Sequence, residues 1–327
     1  MKFNFYPVAV WWQGYRNIEY WVTQRGVNVL IWDKAVNTEA GDWEKTHQII
    51  EVLRRQGYNL WVIRQPAYQL VPDKLGIEFD QKWKSHLLAF SLDDEFEDKI
   101  PGGNLWATPQ PIVDYVKQRV LDYKKWMPDI PIFANFNGTH PRIDLKDRYV
   151  NIVNAGIDII CSDNYPIATQ QIKPDGTLMF PDVVGAAVAS TRLFKQWFPD
   201  KSVWTFLECC NQDVCKAGDV GWEAPWKFVG SRQPTALELW QMVYYIKQYG
   251  GDGIAWFPQA HFGAINDATS PELIPILLQI AQSLNPGFKP VPPPPVPNPT
   301  PVPVAKKLIS TVTISCYSDG TCDVRKS

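Results

Sequence analysis

Ionic excess is missing from this chain: 32 Lys and Arg stand against 34 Asp and Glu, a formal net charge of −2. That balance gives no electrostatic case for nucleic acid or an anionic membrane as partner. Long apolar runs are missing too, and none approaches the roughly 18 residues of a membrane span. The Met1–Pro7 start has no apolar stretch followed by a small-residue cleavage site, so no signal peptide is expected. The expectation is a protein that is cytoplasmic or released by lysis. Only four histidines occur, and neither they nor the six cysteines show paired ligand spacing. No metal and no cofactor is therefore expected. A glycine-rich phosphate turn is also lacking, which argues against a doubly wound nucleotide-binding sheet.

Aromatic residues are abundant, with 15 Trp and 13 Tyr. Large aromatics dominate burial energetics, so many of them belong to the core. Short β-forming runs alternate with amphipathic helical runs, and the count reaches eight. The strands read as Tyr6–Trp11, Val27–Trp32, Asn59–Ile63, Leu87–Leu92, Pro131–Ala134, Ile157–Cys161, Val203–Leu207 and Gly253–Phe257. They lack alternation, as befits strands buried on both faces of a parallel sheet. Between them the helical pattern recurs, for example at Ile49, Ile50 and Leu53, with Gly57 closing that segment. Thr108 and Pro109 read as a cap and first-turn proline. Eight β–α units within residues 1–284 predict a (β/α)8 TIM barrel, near the usual size of about 250 residues.

Residues 285–305 are crowded with proline and should form an extended linker. Residues 306–327 alternate around Ser318–Gly320, a β-hairpin signature. Two strands alone are marginal, so this tail is expected to dock on the barrel, pair with another chain, or lean on a Cys316–Cys322 disulfide. Cys209, Cys210 and Cys215 share one loop, where a local disulfide or free thiols are favoured over zinc.

Two predicted strands end on acids. Strand four runs into Asp93, Asp94 and Glu95, and strand seven stops at Glu208. Strands four and seven lie across the mouth of an eight-stranded barrel, whose C-terminal ends carry its chemistry. Two carboxyl groups across a glycosidic bond can cleave it, about 5 Å apart in retaining enzymes, one as acid/base and one as nucleophile. Burial and neighbouring negative charge would raise the pKa of the acid. A solvated acidic loop continuing into Glu97 and Asp98 is the plainer alternative for the first cluster, and a helix cap or lysine pair for Glu208.

At these residues the chain resembles the clan A retaining glycoside hydrolases, over about residues 1–284. The resemblance implies that Glu95 is the acid/base and Glu208 the nucleophile. It implies that Tyr165, in the Asp163–Pro166 stretch, hydrogen-bonds the nucleophile, and that Trp256 is the aromatic floor beneath the sugar. Asp94 stands where the clan usually has asparagine. Other strand-end residues complete the expected glycan-binding cleft: Trp12 and Trp32 (with Trp11) as stacking platforms, Arg64 on a hydroxyl or on Glu208, and Asn135, Asn137 and Asp163 as hydroxyl binders. Each has a structural alternative as core, turn or helix cap, or for Arg64 a surface salt bridge. Two other functions stay open. One is a chitinase-like or lysozyme-like barrel using Asp93 and Glu95 with substrate assistance. The other is a carbohydrate-binding barrel without catalysis, since fold alone never proves activity.

Overall fold

The computed structural model describes residues 3–11, 17–32, 40–64, 81–167, 170, 172–173, 175–209, 232–258, 269–288, 312–316 and 322–326, with backbone only for 32, 40–43 and the last two segments. It forms two compact units, residues 1–291 and 292–327. The first is a closed barrel of eight parallel strands in sequential order. The strands are β1 (Val8–Trp11), β2 (Val29–Trp32), β3 (Trp61–Arg64), β4 (Leu87–Asp94), β5 (Ile132–Asn137), β6 (Ile159–Asp163), β7 (Ser202–Glu208) and β8 (Gly253–Phe257). Helices α1 (Ile18–Arg25), α2 (Ala40–Arg55), α3 (Gln110–Trp126), α4 (Lys146–Asn154), α5 (Val183–Trp197), α6 (Ala236–Gln248) and α7 (Ile274–Leu284) alternate with them. Between β3 and β4 the described residues are helical at Gln81 and Lys82 and continue into a 3-10 turn, Lys84–His86, where the sequence predicts a short helix near Asp80 to His86.

Helix boundaries follow local chemistry. Asp182 caps α5 by accepting from the Gly185 N–H, and Thr235 with Glu238 forms a reciprocal capping box on α6. Thr108 does not cap α3. Its hydroxyl donates to the Gly102 carbonyl, its backbone pairs with Asn104, and Pro109 occupies the cap position without a side-chain bond.

The strand residues divide into two apolar populations. Val10, Leu30, Val62, Phe90, Ala134, Ile160, Leu207 and Trp256 pack outward against the helices. Ala9, Trp11, Val29, Ile31, Ile63, Phe133, Ile159, Cys161, Trp204, Phe206 and Ala255 fill the lumen. Successive side chains on a strand point to opposite faces, so this parity decides what reaches the mouth. The lumen is plugged at its lower end by Phe5 stacked on Trp61, 6.4 Å between centroids, with Phe3 against Trp204. Gly253 makes room for Trp204, whose ring would lie 2.8 Å from a Cβ at that position. The next layer holds Trp11 edge-on to Phe206 at 5.6 Å.

The second unit contributes β9 (Val312–Cys316) and β10 (Cys322–Lys326), an antiparallel pair in which Cys316 and Cys322 stand opposite one another. The loop between them, including Ser318–Gly320, lies outside the described residues. Among the described residues, no helix is long and apolar enough to cross a membrane.

Candidate active site

Moving up the lumen, the aromatic layers give way to polar ones on the same strand faces. On β7 the lumen positions run Trp204, Phe206, Glu208; on β6 they run Ile159, Cys161, Asp163; on β5, Phe133 is followed by Asn135. On β8, Ala255 is followed by Phe257, whose Cα partner is Glu208. Glu208 is 2% exposed, and its Oε1 accepts a hydrogen bond from the Ile167 N–H at 2.9 Å. Tyr165 stacks on Phe257 with centroids 4.7 Å apart, so an aromatic pair sits beside Glu208.

A register shift shapes the opposite wall. β4 pairs with β5 as Ser91↔Phe133 and then Asp94↔Asn135, so β4 carries an extra residue. The irregularity returns Asp94 to the lumen, where its Oδ1 accepts from Asn135 Nδ2 at 2.8 Å. The same amide reaches Asp163 Oδ2 at 3.1 Å, bridging the two aspartates. Asp93 is buried beside α3. Burial first, and then the Asp93 charge among other effects, raises the Tyr115 hydroxyl.

Glu95 follows in the left-handed region, φ 44°, ψ 47°, the one non-glycine residue with positive φ among the described residues. Such a conformation costs a side-chain-bearing residue about 1 kcal/mol or more. Both flanks of the turn are fixed to β5: Glu95 N–H donates to the Asn135 carbonyl at 3.1 Å, and Glu97 Oε1 accepts from Asn137 N–H at 2.8 Å. Half-buried Glu95 is pushed up to about 7, by desolvation first and then by Asp94, with Asp98 adding to the rise and a hydrogen bond with the Asp163 side chain working against it. Lys99, which bonds the Asp94 carbonyl, opposes the shift. Asp163 is raised as well, by burial and then by Glu95 and Asp94.

The expected cleft residues thus divide. Asp94, Glu95, Asn135, Asp163, Tyr165 and Glu208 gather at the C-terminal end of the barrel. Trp256 does not join them. It is fully buried in the layer between sheet and helices, because its parity matches Val10 and Leu207, and Phe257 takes the lumen position. Arg64 is also misplaced by the sequence reading. It is 5% exposed and in register with outward-facing Phe90, and its charge bears on His47 of α2, so it stands on the helix side. Trp12 lies outside the described residues, and so does the side chain of Trp32. Trp11, expected as a platform, is a buried lumen residue. Among the described residues, no group of three or more His, Cys, Asp or Glu could hold a metal ion. Phe257 was legible from the two-residue period through Gly253 and Ala255, whereas Glu97 carried no signal beyond its place in an acidic run.

No family model matches the sequence, and no curated protein is significantly similar to it. Similarity appears in solved structures. A β-galactosidase from the psychrophilic Marinomonas ef1 aligns at TM-score 0.53 and 12% identity, over 84% of this chain and 59% of its own. A β-galactosidase from Bacillus circulans sp. alkalophilus aligns at 0.54 and 10%, over 86% and 56%. The Ignisphaera aggregans GH53 catalytic domain aligns at 0.51 and 13%, over 84% and 91%. This chain thus spans just over half of each β-galactosidase and nearly all of the GH53 domain. At such identities the likeness is one of fold.

Proposed function

We propose that the barrel is a retaining glycoside hydrolase acting on an oligosaccharide or polysaccharide. The carrying observation is the pair of glutamates that end β4 and β7 in unlike settings. Glu95 sits among carboxyls in partial burial, a setting that keeps an acid protonated near neutral pH. Glu208 is buried at the end of β7, its Oε1 fixed by the Ile167 N–H, a setting that orients one carboxyl. In this reading Glu208 attacks the anomeric carbon while Glu95 gives its proton to the leaving oxygen. Glu95 then takes a proton from water as that water releases the sugar from Glu208. Asp94, Asn135 and Asp163 bind hydroxyls, and the Tyr165–Phe257 pair offers an apolar wall to a sugar face. Tyr165 would also donate to Glu208. That the aligned solved structures include two β-galactosidases and a GH53 domain supports the choice of sugar chemistry.

The substrate-assisted alternative needs Asp93 beside Glu95 in the cleft, and the burial of Asp93 against α3 counts against it. The test is release of reducing ends from a panel of glycans, with the anomer of the first product read by NMR. Wild type should retain configuration, and Glu95→Gln and Glu208→Gln should each lose about a thousandfold or more in kcat/KM. Near-normal turnover by Glu208→Gln, or an inverted product, would remove the proposal.

A further inference from the structure

Asp163 has a place in the mouth that hydroxyl binding alone does not account for. It ends β6 on the lumen side, and its Oδ2 takes a hydrogen bond from Asn135 Nδ2 at 3.1 Å. Its Oδ1 is buried and meets no donor among the described residues. The backbone behind it leaves no slack. Gly138 N–H donates to the Asp163 carbonyl at 2.6 Å, and a Cβ at position 138 would come within 2.3 Å of that oxygen. Asp163 is thus pinned from behind by glycine and from the side by an asparagine that is itself shared with Asp94. Its neighbour is the Glu95 carboxyl, within side-chain hydrogen-bonding range. Two carboxylates cannot hydrogen-bond, because each is acceptor-only. A buried acceptor without a donor is costly. A single proton between the two groups removes both penalties at once.

We infer that Glu95 and Asp163 hold one proton between them, and that Asp163 is the positioning residue that gives this proton its second seat. The inference rests on the reading of Glu95 as acid/base. With the proton on Glu95, the O–H points to Asp163 Oδ1 until a glycosidic oxygen replaces it. On cleavage the proton passes to that oxygen as the C–O bond breaks, leaving two carboxylates side by side. Their repulsion makes Glu95 a stronger base toward the water of the second step, which returns the proton. The other titratable groups around the pair are Asp94, Asp98, Glu97 and Lys99 from the chain around the end of β4, the Cys161 thiol of β6 and the Tyr165 hydroxyl from the segment after β6. Asn135 cannot supply the proton, since its amide already serves Asp94 and Asp163.

The experiment is carbon-13 NMR titration of the full chain carrying labelled glutamate and aspartate side-chain carboxyls. Glu95 is assigned by its loss in Glu95→Gln, and Asp163 by its loss in Asp163→Asn. In wild type the pair should titrate in two well-separated steps, one of them near neutrality. Glu95→Gln should lower the Asp163 midpoint by about one unit or more, and Asp163→Asn should leave Glu95 titrating in a single step. Each variant tests the pair independently, so misfolding of one leaves the other decisive. An Asp163 midpoint that stays in place in Glu95→Gln, or a Glu95 carboxyl that still titrates in two steps in Asp163→Asn, overturns the inference. An inactive wild type whose carboxyls nonetheless titrate as a pair would sink the hydrolase reading and leave the shared proton standing.

Discussion

Two buried clusters of titratable side chains occupy this barrel, and they are built on opposite principles. The mouth cluster, half-buried Asp94 and Glu95 with buried Asp163, is made of like charges, and among the described residues one buried oxygen is left short of a donor. The other lies on the helix side, where His47 of α2 stacks on Trp83 at 4.9 Å and meets His86 Nδ1 to Nδ1 at 2.9 Å. His86 Nε2 contacts Glu51 Oε1 at 2.9 Å. With Glu51 ionised, His86 Nε2–H donates to it, so His86 Nδ1 accepts from His47 Nδ1–H. That chain is satisfied by neutral rings and needs no ligand. Burial pulls His47 down to about 3, helped by His86 and Arg64, and lowers His86 despite Glu51. A buried titratable group is therefore not by itself a sign of chemistry. What distinguishes the mouth is an unfilled acceptor at the C-terminal ends of the strands, the face where barrels keep their chemistry.

The two clusters should respond to pH with opposite signs, and this is the sharpest way to break the comparison. The histidines take up protons in the unfolded chain near pH 6.5 but resist them when folded. Stability is then fully present above about pH 6.5 and falls as the pH drops toward about 3. Between pH 7.5 and 5 the Tm should fall by about 5 °C or more. His47→Phe should flatten that slope without changing KM, and an unchanged slope in calorimetric scans would mean that the histidines are not its source. A smaller effect of opposite sense belongs to Glu95. Its folded value lies above the unfolded one, so its contribution is present below about pH 4.5 and is lost as pH rises through about 7. Glu95→Gln should therefore raise the Tm at pH 8 by about 2 °C or more relative to wild type, with little gain at pH 4. The smallest effect tests the strand parity. Trp256→Phe should lower the Tm by a few degrees with KM unchanged. Phe257→Ala should instead raise KM severalfold once the substrate is known, and equal KM effects would contradict the placement of the two rings.

The alternation of elements was legible because a parallel barrel buries its strands on both faces, leaving apolar runs such as Val203–Leu207 that only a strand explains. The strand-end acids were legible for the same reason, since Glu208 follows such a run. Side-chain direction was not read correctly. Arg64 was assigned to the cleft by proximity to a strand end and Trp256 by the family resemblance, whereas a two-residue period sends both outward. The β4 irregularity is harder, because nothing in the Ser91–Asp94 run announces that one residue is extra. That slip is what turns Asp94 toward Asn135 and Asp93 toward α3. The approach of the Glu95 and Asp163 side chains joins residues 68 positions apart by sequence number and follows from closure of the barrel. Likewise His47 and His86 carry no motif, and only the packing of α2 against the start of β4 makes them neighbours.

The left-handed backbone at Glu95 has a consequence for how this protein would change under selection. Glycine adopts that conformation freely and asparagine nearly so, and neither brings a carboxyl into a crowd of carboxyls. A library screened only for heat resistance should drift to one of those two residues at this codon. A library screened for turnover should hold glutamate there, at the expense of robustness. Sequencing the winners of both screens would read out, from a single position, whether this barrel is a catalyst or only a scaffold.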